Sequence, residues 1–288
     1  MTTCRYEPGV AGVTVARVTG IVSAAATDEL SVEEPLEIRI DAGGRTPPAP
    51  IAVTMRTPGD DADLTAGFLF TEGIISSHSD LDDLEAETPN VMTARLRRGI
   101  AIDAARLDRH SFMSSSCGVC GKRSIAAVTV ARRHRIAPAE PRIDPRVVHT
   151  LSDALRAGQP GFARTGGLHA SALFDAGGRL IALREDVGRH NALDKLIGAE
   201  LLARRVPLGN RIVFVSGRLS FELVQKAAIA GVPVLIAVGA PSSLAVDLAR
   251  ESGMTLLGFV RDGRFNVYSD FGRLNVPTAA NCDIAPRV

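Results

Sequence analysis

The feature that most constrains the fold is an alternation of strand-like and helix-like segments near the carboxyl end of the chain. In order, the apolar runs and the segments between them predict strand 211–216, helix 220–231, strand 233–239, helix 242–253 and strand 254–261. Strands that are joined through helices pair in parallel, and the helices then cover both faces of the sheet. The alternation therefore predicts an α/β fold with a partly parallel sheet.

The segments that precede this alternation predict a further helix, a hairpin and a second helix. Residues 144–158 have the pattern of a helix that ends at Gly158. Two strand-like runs, 169–175 and 179–186, flank a glycine-containing turn and predict a hairpin. A helix at about 190–205 follows. These elements extend the larger, mixed-sheet domain back to residue 144.

The first 110 residues have a different pattern, which is typical of an α+β domain with mostly antiparallel strands. The predicted elements are strands at 13–20, 33–41 and 51–58, a helix from about 60 to 73, and two strand-like runs within 91–108. We therefore predict a smaller N-terminal α+β domain at 1–110, a thiol loop with a connecting helix at 111–143, the larger domain at 144–274 and a tail at 275–288.

Composition and charge exclude several classes of partner. The formal net charge is +1, and aromatic residues make up 4% of the chain, so neither a basic surface for nucleic acid nor stacking platforms are expected. The longest apolar stretch, 231–240, is about half the length of a membrane span and contains a proline. No apolar leader precedes residue 10. We expect a soluble cytoplasmic protein that binds neither nucleic acid nor membrane.

The thiol pair Cys117 and Cys120 is the strongest chemical signal in the sequence. It lies in the segment CGVCGK after a run of three serines. A structural zinc site needs four ligands, and this segment offers only two thiols. A thioredoxin-type dithiol usually follows a strand, and the serine run that precedes Cys117 does not resemble a strand. The pair could also be two inert cysteines, or it could carry sulfur. Flanking glycines and Lys122 would suit a mobile, nucleophilic thiol, but the spacing alone does not decide.

Longer motifs resemble the family of formate dehydrogenase accessory sulfurtransferases called FdhD. The stretches that carry the resemblance, in order, are EPLEIRI at 34–40, RTPGDDADLTAGFLFTEGII at 56–75, SSCGVCGK at 115–122, TGGLHASALFD at 165–175, EDVGRHNALDKLIG at 185–198, SGRLSFELVQKAAIAGVPVL at 216–235 and APSSLAVDLA at 240–249. The resemblance covers the chain from about residue 15 to 270 in the family's order, and several of the stretches are long and unusual.

The resemblance implies a function, a reaction and a site. It implies that a cysteine desulfurase supplies sulfur as a persulfide on Cys117, and that the sulfur passes to bis-molybdopterin guanine dinucleotide before this molybdenum cofactor enters formate dehydrogenase. Cys120 would assist. The cofactor-binding segment of the family matches Phe259, Val260, Arg261, Asp262, Gly263 and Arg264. The resemblance also implies a cytoplasmic homodimer whose larger domain has a cytidine-deaminase-like mixed sheet with flanking helices.

The deaminase likeness can be compared with residues of this chain. Zinc deaminases have an H-x-E and a P-C-x-x-C motif, each at the start of a helix; the His and the two Cys hold zinc, and the Glu moves protons. The corresponding positions here are 190–192, His-Asn-Ala, and 216–220, Ser-Gly-Arg-Leu-Ser. The histidine is kept, but the glutamate and both cysteines are absent. We therefore expect the scaffold without zinc and without deamination.

Further residues are candidates for binding the cofactor. Ser216, Gly217 and Arg218 end a strand and open a helix, where free backbone N–H groups and a guanidinium bind phosphate well. His169 follows a glycine-rich run, and it could face the same cleft as His190. Each of these residues could instead have a simple structural role. A second hypothesis is therefore a chaperone that binds a guanine nucleotide or the molybdenum cofactor and whose cysteines are incidental.

Overall fold

The computed structural model describes residues 9–43, 47–100 and 134–275. The elements of its amino-terminal part, in chain order, are β1 (Val10–Thr19), β2 (Val22–Ser31), β3 (Glu34–Asp41), β4 (Ala49–Arg56), α1 (Asp61–Thr71), a 3-10 helix (His78–Asp80), β5 (Leu81–Thr88) and β6 (Val91–Leu96). Strands β1 and β2 form an antiparallel ribbon of their own, and the other four form a sheet in the order β4-β3-β6-β5. Within that sheet only β3 and β6 run parallel.

The remaining elements belong to one mixed sheet and its helices. In order they are α2 (Pro145–Ala157), α3 (Pro160–Thr165), β7 (His169–Phe174), β8 (Leu180–Asp186), α4 (Arg189–Leu202), β9 (Ile212–Val215), α5 (Phe221–Ile229), β10 (Val234–Ala237), α6 (Ser243–Ser252), β11 (Thr255–Arg261) and β12 (Arg264–Ser269). The six strands have the order β12-β11-β10-β9-β7-β8. β9, β10 and β11 are parallel, whereas β7, β8 and β12 pair antiparallel with their neighbours.

Local sequence signals set the ends of the helices. Asp144 caps α2, because its carboxylate accepts a hydrogen bond of 2.8 Å from the backbone N–H of Arg146 and Pro145 occupies the first turn. The hydroxyl of Ser242 caps α6 in the same way, and Gly253 ends that helix with a φ of 70°. Helices α2 and α6 therefore begin and end close to the predicted residues.

Two apolar clusters form the core. One lies between the four-stranded sheet, helices α1, α4 and α5, and one face of the six-stranded sheet, and it is continuous from Leu36 to Leu256. The other covers the opposite face of the six-stranded sheet beneath α2, around Phe174 and Phe214. Strands β9 and β10 are buried along their whole length, as expected for parallel strands with helices on both sides.

The alternation of strands and helices from 211 to 261, the hairpin at 169–186 and the mixed α/β fold class are confirmed. The sequence pattern did not predict strand β2, strand β5 or the short helix α3. Strand β2 lies in an exposed ribbon and β5 is an acidic edge strand, so neither has the apolar alternation on which the prediction depended. The proposed domain limits stay a prediction, and the connecting helix lies outside the described residues.

None of the helices that the structure describes is long and apolar enough to cross a membrane.

Candidate functional site

Three loops meet where the parallel strands end. They follow β9, β10 and β11, and backbone hydrogen bonds join them, from the N–H of Gly239 to the carbonyl of Gly217 at 3.0 Å and from the N–H of Phe259 to the carbonyl of Gly239 at 3.1 Å. The carboxyl edge of a parallel sheet is the common binding site of α/β proteins. The fold therefore brings the predicted segments 216–218 and 259–264 to one edge.

A cavity of about 510 Å³ opens beside these loops, between the sheet edge and helices α2 and α3. His169 and Ser216 are the two predicted residues that line it. Its lining residues are Ser152, Asp153, Leu155, Arg156, Gln159, Phe162, Gly166, Gly167, Leu168, His169, Ser216 and Val238. Its volume is within the range of small-molecule sites, so part of a nucleotide-sized ligand would fit there.

The segment 216–218 combines structural and accessible groups. The hydroxyl of Ser216 accepts a hydrogen bond of 2.9 Å from the N–H of Ala170, which ties the loop to β7. A Cβ atom at Gly217 would lie 3.4 Å from Nδ1 of His169, so the missing side chain leaves room beside that imidazole. Arg218 is exposed to solvent. Its guanidinium is the group of this loop that is best placed to reach an anionic ligand.

The segment 259–264 consists of the end of β11, the two-residue turn at 262–263 and the first residue of β12. Phe259 and Asp262 have positive φ angles, 56° and 53°, which non-glycine residues rarely adopt. Val260 is buried in the core, so its side chain cannot contact a ligand there. The last four residues of the segment are exposed: Arg261, Asp262, Gly263 and Arg264. Two guanidinium groups therefore flank an exposed, strained turn.

The two candidate histidines do not share one cleft wall. His169 lines the cavity, and burial followed by the nearby Arg189 lowers its pKa. His190 is buried at the start of α4, where its Nε2 lies 3.3 Å from the hydroxyl of Ser220 and 3.3 Å from a carboxylate oxygen of Glu222. Burial, with the positive charges of Lys226 and Arg189, lowers the pKa of His190 to about 3. His190 is therefore a neutral imidazole at pH 7.

The positions that correspond to the zinc motifs of deaminases come together in space. Helix α4 begins directly after the β7–β8 hairpin and α5 directly after β9, as the correspondence requires. Ser220 contacts His190, and Gly217 lies beside His169. A hydroxyl and a missing side chain do not fit zinc in place of two thiolates. Within the described residues, no group of three or more His, Cys, Asp or Glu side chains is arranged to hold a metal.

A buried ionic cluster lies behind this region, and sequence reasoning missed it. The ammonium of Lys226 on α5 lies 2.9 Å from Asp194 Oδ2, 3.2 Å from Glu72 Oε1 and 2.9 Å from Thr71 Oγ1. Burial raises the pKa of Asp194, and Lys226 opposes that rise. The sequence signal for this cluster was a lysine and an aspartate on helix faces that are otherwise apolar. Charged side chains at such positions are rarely buried without a partner of opposite charge.

A second buried ion pair lies at the start of α4. Asp186 and Lys195 are both buried and their charged atoms are 2.8 Å apart, so each charge is compensated by the other. Glu185 instead caps α3 by accepting hydrogen bonds of 2.8 Å from the N–H groups of Gly161 and Phe162. This cap fixes one wall of the cavity.

The proposed sulfur-carrying residues Cys117 and Cys120 lie outside the described residues. Their distance from the sheet edge is therefore a prediction, and so are the catalytic roles that the resemblance implies for them.

Comparison with known proteins gives one consistent result. Residues 31–275 match the model of the FdhD/NarQ family. The chain is 48% identical over 263 residues to a protein of Streptomyces avermitilis named sulfur carrier protein FdhD, with 88% of this chain and 91% of that protein covered. A protein of the same name from Anaeromyxobacter dehalogenans is 49% identical over 270 residues, with 88% and 90% covered.

A solved structure shares the fold. It is a formate dehydrogenase accessory protein from Desulfotalea psychrophila, which has 24% sequence identity and a TM-score of 0.71, and the match covers 93% of this chain and all of that one. The family match runs from the end of β2 to the end of the described chain, and it includes all three loops of the sheet edge. This chain therefore belongs to the FdhD/NarQ family.

Proposed function

We propose that this chain is a sulfur carrier that activates formate dehydrogenase through its molybdenum cofactor. In this proposal a cysteine desulfurase supplies sulfur to Cys117, and the acceptor is bis-molybdopterin guanine dinucleotide. The observation that carries the proposal is the CGVCGK thiol pair in a chain whose relatives, matched over 88% of its length, are named sulfur carriers. The reaction takes place in the cytoplasm before the cofactor enters the enzyme.

The sulfur step needs only thiol chemistry. The Cys117 thiolate attacks the outer sulfur of the persulfide on the desulfurase, the sulfur–sulfur bond of the donor breaks, and the donor cysteine leaves as a thiolate. Cys117 then carries the outer sulfur as its own persulfide. Attack by the Cys120 thiolate on the inner sulfur would form a Cys117–Cys120 disulfide and release hydrosulfide to the acceptor. Both thiolates would benefit from the positive charge of Lys122.

The cofactor is the substrate in this scheme, and the sheet edge offers the groups that its phosphates require. Arg218 at one loop and Arg261 and Arg264 at another are exposed guanidinium groups on loops that backbone hydrogen bonds join. Guanidinium pairs bind phosphate oxygens in a bidentate manner. The neighbouring cavity beside His169 would receive a planar or sugar part of the same molecule. The proposed partners are the desulfurase, formate dehydrogenase and a second copy of this chain.

The experiment that tests the proposal is an intact-mass measurement. The full chain is incubated with a cysteine desulfurase and cysteine, and its mass is compared before and after reduction. We expect a gain of one sulfur atom that reduction removes, in the wild type and in Cys120→Ala but not in Cys117→Ala. Equal sulfur loading of wild type and Cys117→Ala would contradict the carrier role of Cys117.

The loop geometry also favours a second candidate function, in which the chain is a chaperone that binds the cofactor or a guanine nucleotide and the cysteines are incidental. Both candidates use the same binding groups. They differ in the behaviour of Cys117→Ala. Cofactor binding with a loss of formate dehydrogenase activity supports the carrier, whereas full activity in cells that produce only this variant supports the chaperone.

A further inference from the structure

The bend between α2 and α3 brings a buried amide to the wall of the cavity. Gln159 directly precedes α3 and lines the cavity, and the residue is 4% exposed. Its amide nitrogen has no hydrogen-bond partner among the described residues. A buried polar group that is left unpaired costs free energy, so native structures rarely contain one without a reason. The terminal torsion of glutamine is soft, so a ligand in the cavity can recruit this amide as a donor.

A carboxylate lines the same cavity six residues earlier in the chain. Asp153 belongs to α2, its side chain is exposed, and no ion pair joins it to another residue in the described ranges. An ionised carboxylate only accepts hydrogen bonds, and its two oxygens suit a pair of adjacent N–H groups. The wall at the α2–α3 bend therefore offers a paired acceptor and an unused amide donor to one ligand.

Arg156 and Phe162 add a flat surface to this wall. The guanidinium carbon of Arg156 lies 4.4 Å from the centre of the Phe162 ring, and both residues line the cavity. The contact with the ring holds the guanidinium in one orientation. Guanidinium and aromatic planes are the groups on which flat heterocyclic rings stack in proteins. The cavity is therefore suited to a planar ring.

The hydrogen-bonding groups of the cavity select among planar rings. The carboxylate of Asp153 repels a phosphate, for which the exposed guanidinium groups of the neighbouring loops are available. An uncharged ring with two adjacent N–H donors beside a carbonyl matches the carboxylate and the amide together. Guanine has this edge, because O6 is an acceptor and the 2-amino group a donor, whereas adenine has an amino group in place of O6. A pterin contains the same 2-amino-4-oxopyrimidine ring.

We propose that the cavity binds the 2-amino-4-oxopyrimidine ring of guanine or pterin, and that Asp153 and Gln159 determine its specificity. Asp153 accepts hydrogen bonds from the two adjacent N–H groups, Gln159 donates one to the carbonyl, and the ring stacks on Arg156. The proposal rests on the proposed function, because bis-molybdopterin guanine dinucleotide contains both rings. A site built in this way rejects analogues strongly, since the wrong ring leaves polar groups unpaired.

The first test exchanges the acceptor pair of Asp153 for one donor and one acceptor. Calorimetric titrations of the full chain should show that wild type binds GDP at least about tenfold more tightly than inosine diphosphate, which lacks the 2-amino group, or ADP. Asp153→Asn should weaken GDP binding by a similar factor and tighten the binding of xanthosine diphosphate, because the asparagine amide donates to its 2-oxo group. Misfolding does not produce a gain of affinity.

The control for this exchange is Asp82→Asn. Asp82 is an exposed aspartate of β5 in the other sheet, so its substitution removes the same charge at a distance from the cavity. Its affinities for GDP and xanthosine diphosphate should equal those of wild type. A preference for GDP over xanthosine diphosphate that Asp153→Asn leaves unchanged would overturn the proposed role of Asp153.

The second test removes the buried amide. Gln159→Leu should weaken GDP binding at least about tenfold without lowering the melting temperature of the ligand-free protein, because no hydrogen bond within the described chain is lost from the amide nitrogen. A structural role for Gln159 predicts the opposite pair of results, a lower melting temperature and unchanged affinity.

Pterin-6-carboxylate is the probe that distinguishes the two sources of the ring. Binding of GDP alone assigns the cavity to guanine, binding of the pterin alone assigns it to the pterin, on which the variants are then measured, and mutual competition shows that either ring enters. Binding of neither probe, or equal affinity for GDP and ADP, would overturn the proposal. Sulfur loading of Cys117 is measured by mass without these ligands, so failure of the cavity and failure of the carrier role remain distinguishable.

Discussion

Gly67 of α1 and Gly198 of α4 lie in direct backbone contact: a Cβ atom at Gly198 would stand 2.7 Å from the amide nitrogen of Gly67. Real Cβ atoms are not found so close to backbone, so both positions admit only glycine at this helix spacing. The contact joins α1, which packs on the four-stranded sheet, to α4, the helix whose first turn contains His190. The spacing of the two sheets therefore depends on two missing side chains.

We predict that Gly198→Ala destabilises the protein although alanine is the better helix former. Overpacking costs about 1–3 kcal/mol or more, and the gain in helix propensity offsets about 1 kcal/mol of that cost. The control is Gly209→Ala, where a Cβ atom has no neighbour within 4 Å and the φ angle is not positive. Chemical denaturation measures both variants. Equal stability of the two would show that the helices separate easily.

We predict a large loss of stability for Lys226→Met. The substitution leaves Asp194 and Glu72 buried without their shared cation, which costs about 3–5 kcal/mol. Asp194→Asn in the same background removes one of the two charges and should recover part of the loss. The free energy of unfolding from urea titrations measures the effect. A loss below about 1 kcal/mol would mean that the cluster is hydrated.

The same variant has a predicted pH dependence. Burial already raises the pKa of Asp194 in the folded protein, and removal of Lys226 raises it further. A folded-state pKa above the unfolded value means that stability falls as the pH rises through it. The difference in unfolding free energy between Lys226→Met and wild type should therefore be smaller near pH 4 than at pH 7. A difference that is constant with pH would contradict this prediction.

We predict that His190 destabilises the protein in acid. Its folded pKa of about 3 is below the ordinary value of 6.5, so the unfolded chain binds a proton that the folded protein excludes. Stability is lost as the pH falls from about 6.5 towards 3, by up to about 4 kcal/mol. His190→Gln should have a flatter profile over this range, and NMR of the ring protons should show no titration of His190 above pH 5. Titration near pH 6.5 would refute the neutral state.

We predict that two substitutions create a zinc site. Thiolate and imidazole ligands of one tetrahedral zinc are about 3.5 Å apart, and His190 Nε2 is 3.3 Å from the Ser220 hydroxyl. Gly217→Cys with Ser220→Cys should therefore bind about one zinc per chain, measured by metal analysis after dialysis, with His190→Ala as the control that lowers it. Unchanged zinc content in the double variant would contradict the spatial match with the deaminase motifs.

Much of the fold could be predicted because its signals are local. The caps at Asp144 and Ser242 and the apolar strands of the larger domain act over a few residues, and the resulting elements agree with the prediction. The ribbon strand β2 and the edge strand β5 could not be predicted in this way. Their side chains face solvent, so periodicity carries no information about them.

The candidate site was predictable in part. Ser216 and Gly217 were identified because they end a strand and open a helix, where free backbone N–H groups bind phosphate, whereas the turn at 262–263 was identified from the family resemblance alone. The roles of their side chains were not evident from their types. Ser216 fixes β7 and Val260 lies in the core, which depends on neighbours that are distant in sequence.

Residue types and short spacings were sufficient to determine the alternating strands and helices, the thiol pair CGVCGK and the absence of the deaminase motifs' glutamate at 192 and cysteines at 217 and 220. Only the folded structure decided that Lys226 meets Asp194 and Glu72 and that Ser220 meets His190. The physical reason is that burial and charge pairing depend on contacts between distant segments, which periodicity does not encode.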